Sequence, residues 1–347
     1  DRAPAFPSLA QMAEGDMKPS HGEAPKHWAS LEERGVYLGL RIMFAAYRVL
    51  GRAGFSVLLA PVIFYFFLFS GEASRASRSF LTRAYKTAAG REALGRAPGW
   101  RDSFWHFYAF GQAILDKIAA WRGDIDPSDV EFENDEIFER LLDEGRGALL
   151  VASHLGNMEV CRALGQKHRN IRMNVLVHTK HSENFNRLIS KADPGSRVSL
   201  FQTTEVGPGT AMHLQEAIDK GEIVVIVGDR TPQGASGRYG WAPFLGKDAP
   251  FPQGPYILAS LFQCPVQLIF CIKKGRKHRV IIEPFAERIE LPRANREKVL
   301  QSHIEAFARR LEFHAVRAPF QWFNFFDFWN QAPRAGNSGS FSKSVDR

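Results

Sequence analysis

Cysteine is scarce in this chain: three among 347 residues, Cys161, Cys264 and Cys271, each set among apolar neighbours. So small and odd a number argues against a disulfide framework and a cysteine-rich zinc site, and suits a reducing compartment. Several signatures are missing altogether. There is no G-x-S-x-G nucleophile elbow, no complete G-x-G-x-x-G, no G-x-x-x-x-G-K-[ST] and no H-E-x-x-H. These absences count against a serine hydrolase, a dinucleotide enzyme, a nucleotide hydrolase and a zincin. No RNA-binding signature or dense basic arm supports nucleic acid as a partner, and no internal repeat stands out. The chain opens on Asp1-Arg2-Ala3-Pro4 without an initiator Met or a secretory apolar core, and reads as a processed or excised piece of a longer protein.

What is present is apolar and basic. At 45% hydrophobic, the chain can bury a sizeable core as one large domain or two smaller ones. A net charge of +8 suits an anionic lipid surface, nucleic acid or an acidic carrier protein. The 28 Phe cluster with Trp and Leu rather than alternating with Lys and Arg, which favours lipid.

Residues 1–26 lack periodicity and read as a tail or linker. Residues 27–132 form a helical N-terminal region around an uncharged run, Ala53 to Gly71, whose length is near the ~20 residues that cross a bilayer as a helix. Pro61 is expected to kink it. Basic residues flank both ends, so charge asymmetry assigns no orientation. Three placements stay open: a full span, an in-plane or re-entrant segment, and a buried core helix. Two of the three make membrane contact. Residues 104–121 read as another helix with an aromatic face. Over 133–330, strand-like runs (ALLVAS, NVLV, EIVVIVG, PVQLIFCI, HRVIIE) alternate with helical ones, including Glu183 to Lys191 and Arg296 to His314. That alternation predicts an α/β core with a largely parallel sheet. Residues 331–347 read as a disordered tail.

Four His-x4-acid pairs occur, at 27/32, 154/159, 178/183 and 278/283, where chance gives roughly one. Residues five apart on one continuous helix point about 140° apart, so a working pair needs a break between them. His278 and Glu283 sit in a predicted strand, where an odd offset separates the side chains. His27 and Glu32 have no scaffold. His178/Glu183 follows a strand and stays open on geometry. His154 has the stronger setting, because apolar ALLVA places it at the carboxyl end of a parallel strand, where α/β proteins bind ligands. Gly156-Asn157 supplies a turn and a helix cap. Glu159, in the first turn, can accept from one ring nitrogen of His154 and leave the other as a base. First-turn amides would favour developing negative charge. Without function, the same residues read as a capping Asn, a structural His and a surface Glu.

A second block, Gly228 to Gly254, carries Asp229-Arg230 at a strand end, a glycine-rich loop with Arg238, then WAPFLG and FPQG opening a helix. Such a loop can present arginines and amides to a phosphate or a thioester carrier. It can equally be a surface loop with salt-bridged arginines.

Together these blocks resemble the lysophospholipid acyltransferase superfamily, and most the lipid A late acyltransferase branch and its bacterial relatives of aryl polyene or pigment lipid pathways. HLGNME is similar to that branch's H-x4-(D/E) motif, GDRTP with PFLG and FPQG to its second region, and APFQWFNFFDFW to its C-terminal Pro-x-Gln-Trp segment. The resemblance spans roughly residues 28–330. It implies a glycerolipid-acyltransferase-like fold: a mostly parallel sheet flanked by helices, behind an N-terminal apolar membrane-associating segment. It also implies O-acyl transfer from an acyl thioester, on acyl carrier protein or coenzyme A, to a hydroxyl of a lipid or glycolipid. His154 would be the base and Glu159 its dyad partner. Asn157, Asp229, Arg230, Lys180 and Arg238 would bind substrate or support the site. No cofactor or metal is expected, and the setting would be the cytoplasmic face of a bacterial inner membrane. HTKHSENFNRL stands where relatives place an arginine, so His178 or Lys180 would substitute for it, and GDR departs from the usual second motif. A thioesterase-like hydrolase at the same dyad and a non-catalytic lipid-binding protein are the alternative readings.

Overall fold

The computed structural model describes the backbone of residues 36–122, 124–158, 160–161, 171–177, 198–202, 207–231 and 238–331. The predicted helix at Glu183–Lys191, the predicted tail 1–26 and all of the predicted tail 331–347 but Gln331 lie outside these residues. Four helices come first: α1 (Val36–Phe69), α2 (Gly71–Tyr85), α3 (Ala88–Leu94) and α4 (Trp100–Arg122). A seven-stranded sheet follows. Its strands are β1 (Val130–Glu133), β2 (Ala148–Ala152), β3 (Met173–Val177), β4 (Val198–Gln202), β5 (Ile223–Val227), β8 (Val266–Lys274) and β9 (Lys277–Ala286). They lie in the order β1-β9-β8-β2-β5-β3-β4. All neighbours are parallel except β8 and β9. Among the described residues, the helices α5 (Glu136–Asp143), α6 (Pro208–Asp219), α7 (Gly254–Phe262) and α8 (Arg296–Ala315) accompany the sheet.

The apolar runs become the sheet's centre because β2 is covered on both faces, with every residue buried. Leu149 and Val151 point into a cluster with Leu214 of α6, Leu258 of α7 and Phe307 of α8. Leu150 and Ala152 face Ala119 of α4, Phe138 of α5 and Val160. Two strands escape the sequence pattern, β1 and β4, which are short and lie at the sheet's two edges. The WAPFLG block is a third surprise. It forms an antiparallel hairpin, β6 (Tyr239–Phe244) with β7 (Lys247–Pro252). Leu245 and Gly246 both take positive φ, 51° and 77°, which fits a two-residue turn that follows strand twist.

The N-terminal apolar run corrects one expectation. Pro61 lies inside α1 without leaving helical torsions; the break falls at Gly51, with φ 64°. Glycine adopts that angle freely, whereas proline removes only one helical donor. From Gly54, the helix runs to Phe69 and meets Gly71–Tyr85 at 97°. Among the described residues, no single helix is long and apolar enough to cross a membrane, though this bent pair passes together by length and composition. Phe55, Leu59, Ile63 and Phe67, spaced four apart, bury one face against Phe107 and Leu115 of α4. Each such burial contributes roughly 1.5–3 kcal/mol. The opposite face leaves Val57, Phe64, Tyr65, Leu68 and Phe69 exposed, and Trp105 and Phe110 of α4 are exposed too.

Helix α4 also reaches the C-terminal segment through a buried histidine. His106 sits 3.0 Å from the Ser77 hydroxyl and 3.0 Å from the Trp322 carbonyl. The carbonyl only accepts, so Nε2–H donates to it and Nδ1 receives the Ser77 hydroxyl. Burial lowers this imidazole from 6.5 to about 3, against the carbonyl bond that favours the charged form. Because the folded state disfavours protonation, its contribution to stability is complete above pH 6.5 and is lost as pH falls toward 3. Thermal melts across that window should therefore show an acid loss that is smaller in His106→Gln, which cannot be protonated. Identical pH slopes in the two proteins would refute this.

Candidate active site

His154 and Asp229 come from neighbouring parallel strands. Ala152 of β2 is in register with Val227 of β5, and both side chains stand two residues beyond, at the carboxyl edge of the sheet. The His154 Nδ1 lies 2.7 Å from Asp229 Oδ1. Oδ2 of Asp229 accepts from the His154 backbone N–H, the Trp322 indole N–H and the Asn324 side-chain amide, each at 3.0 Å. Asp229 is fully buried, while the His154 side chain retains 29% of its exposure. The ring is thus held on its inner side and open on its outer side.

The electrostatics agree with a neutral ring on an ionised carboxylate. Burial, and next the Arg230 charge, push His154 below its ordinary 6.5, with Asp229 pulling the other way. Burial works to raise Asp229, but His154 and Arg230 outweigh it, so the carboxyl sits below its usual range. With Asp229 ionised, Nδ1 carries the proton and Nε2 keeps the lone pair. Burial draws the Arg230 guanidinium down to about 10, against Asp229, and it remains charged at neutral pH. Its Nε donates to Asn324 Oδ1 at 2.7 Å and one terminal nitrogen donates to the Phe323 carbonyl at 3.0 Å.

The turn after His154 is clamped by the C-terminal segment. Phe323 N–H donates to the His154 carbonyl at 2.9 Å, and Gly156 N–H to the Gln321 carbonyl at 2.7 Å. Gln321 itself bonds Lys273 of β8 through both ends of its amide, at 2.8 Å each. Asn157 N–H donates to the Cys271 carbonyl at 3.0 Å. Its side-chain nitrogen donates to the Ala113 carbonyl of α4 at 2.7 Å. The amides of Gly156 and Asn157 are therefore spent on protein carbonyls. The expected oxyanion role of the first-turn amides does not fall to these two.

Of the residues named from sequence, the structure brings His154, Asp229 and Arg230 together and sets Asn157 alongside. Asp229 faces His154 rather than open space. Arg238 is exposed, immediately ahead of β6. Glu159, His178 and Lys180 lie outside the described residues. The pair at 278/283 divides as expected: His278 lies 3.9 Å from Asp116 of α4, and Glu283 bonds Arg310 and His314 of α8. Sequence reasoning misses Trp322 and Asn324, which follow Asp229 by 93 and 95 residues. The signal available was a polar Asn inside an aromatic run. Among the described residues, no group of three or more His, Cys, Asp or Glu could hold a metal ion.

A histidine at the carboxyl edge of a mostly parallel sheet, its ring held by a buried carboxylate, is an arrangement that can serve as a general base in an α/β protein. The family model for bacterial lipid A biosynthesis acyltransferases matches residues 106–331. The chain belongs to that family, and it is an acyltransferase. Comparison with curated proteins gives no match.

Gly156 is the backbone pivot of this turn. Its φ is +75°, and a Cβ there would fall 1.7 Å from the Cys271 carbonyl oxygen. Gly156→Ala should therefore cost at least ~1–3 kcal/mol and displace the turn that carries His154. Calorimetry and acyl-transfer rates should both fall, and an unchanged melting temperature would contradict the clash.

Proposed function

We propose that the protein is a membrane-associated O-acyltransferase, moving a fatty acyl group from an acyl thioester to a hydroxyl of a lipid or glycolipid. The observation that carries the reading is the partly exposed His154 ring, engaged at Nδ1 by Asp229 and so presenting Nε2 as a base. Nε2 takes the acceptor's proton as its oxygen forms a bond to the thioester carbonyl carbon. The C–S bond then breaks, and the imidazolium returns the proton to the departing thiolate. Ester and thiol result, and the histidine is regenerated. Glu159, Lys180, Arg238 and Arg230 are proposed to complete the site, with Glu159 as the motif's acidic member and the cations holding donor or acceptor phosphates. Acyl carrier protein and coenzyme A both present a phosphate-bearing thioester arm. No metal or redox step is required by this chemistry.

Purified protein offered a panel of acyl thioesters with lipid and glycolipid acceptors should release thiol and form ester in equal amounts. His154→Gln should lower the rate by about 10³-fold or more. Since the base must be neutral and its pKa lies below 6.5, kcat/KM should decline only once pH falls beneath that value. Free fatty acid with no ester would identify a thioesterase-like hydrolase instead.

Membrane docking rests on the exposed apolar side chains of α1 and α4, with Arg75 and Arg78 of α2 nearby in sequence. We place this face on the inner membrane, at its cytoplasmic side. Phe64→Ser together with Phe69→Ser should reduce sedimentation with anionic vesicles several-fold while leaving the melting temperature near wild type, because both rings are exposed. Unchanged sedimentation would remove this face as the anchor.

A further inference from the structure

Two of the bonds that hold Asp229 come from a segment to which the proposed chemistry gives no role. Three donors crowd Oδ2, and a carboxylate oxygen has about two lone-pair directions, so that oxygen is saturated. Oδ1 is left for the ring. Rotating the carboxylate would break the Trp322, Asn324 and His154 amide bonds together. Asn324 cannot turn over either. Its Oδ1 accepts from Arg230 Nε at 2.7 Å, so its nitrogen faces Asp229, and a flip would set oxygen against carboxylate and nitrogen against guanidinium. Asn324 also bridges Arg230 and Asp229. A guanidinium paired directly with that carboxylate would take both oxygens and compete with the imidazole. Trp322 is equally fixed. Its ring is fully buried, packed at 4.7 Å on Phe80, 5.2 Å on Phe244 and 4.7 Å on Phe328, and its carbonyl accepts from His106.

We infer that Trp322 and Asn324 are positioning residues of the acyl transfer. They lock the Asp229 carboxylate so that Oδ1 holds the His154 ring as the Nδ1–H tautomer, leaving Nε2 aimed outward. The assignment rests on the reading of His154 as the base.

The test uses the full chain labelled with ¹⁵N-histidine. Trp322→Phe removes one N–H and keeps an aromatic ring in place. Asn324→Leu removes the bridge, and Asn324→Asp keeps its size while replacing the donor with an acceptor. Ring nitrogen shifts report the His154 tautomer, assigned by the signals lost in His154→Gln, and steady-state transfer from an acyl thioester gives kcat and KM. Wild type should show a single Nδ1–H tautomer. Each variant should show a mixture with the Nε2–H form and a kcat lower by about tenfold or more, with KM within about twofold. Asp229→Asn should show the same mixture and a larger loss, about 10³–10⁴-fold. A single Nδ1–H tautomer and wild-type kcat in both Trp322→Phe and Asn324→Asp would overturn the assignment. A fall in activity through KM alone, with the tautomer intact, would overturn it as well. If His154→Gln itself keeps full transfer activity, the base reading falls, and the ring shifts still decide whether Trp322 and Asn324 hold the tautomer.

Discussion

The bond from the His154 ring to Asp229 sets the terms for much of the surrounding structure. An ionised carboxylate with no solvent exposure is costly, by several kcal/mol, unless donors surround it. Asp229 therefore needs more than its histidine. The His154 amide, the Trp322 indole and the Asn324 side chain supply what water would have given. Meeting that need brings the last described segment of the chain across the mouth of the sheet. Once there, Phe323 and Gln321 also fix the backbone of the His154 turn. Burial of one charge and clamping of the His154 turn draw on the same segment.

Parallel register makes the bond possible. Two strands paired Ala152 to Val227 deliver residues two further along to the same level, whatever the chain does across the sequence separation of 75. This is also why the sequence shows only part of the site. A five-residue spacing such as His154 to Glu159 is visible on the page, because both members sit in one motif. The contact between His154 and Asp229 depends on which strands become neighbours, and no local pattern encodes that. The strongly apolar strands were legible, since β2 and β5 are buried on both faces and read as unbroken apolar runs. The edge strand β4 and the β6–β7 hairpin were not. Their Ser, Gly, Asp and Pro residues mimic loops, and only pairing partners make them strands. Trp322 and Asn324 were hidden differently, inside an aromatic run whose obvious reading is packing.

Helix α4 joins this site to the N-terminal helices by three contacts of different kinds. Asn157 caps the Ala113 carbonyl, Lys273 pairs with the buried Asp116 at 2.5 Å, and His106 bonds the Trp322 carbonyl. The first fixes the turn after His154, the second the end of β8, and the third the residue that grips Asp229. A helix appended only as an anchor would have no use for such contacts. The same unit exposes Phe64, Tyr65, Phe69 and Trp105. Under the proposed docking, the element that touches lipid is thus one side chain away from the Asp229 cradle. Polar contacts near a buried charge are stiff because each broken bond leaves a desolvated group behind. Rigid coupling follows from that stiffness. An acyltransferase whose acceptor and acyl chain both reside in a lipid surface has a physical reason to brace the turn that carries its base against the helix that meets that surface, because the depth of the helix then sets the height of Nε2 above the lipid.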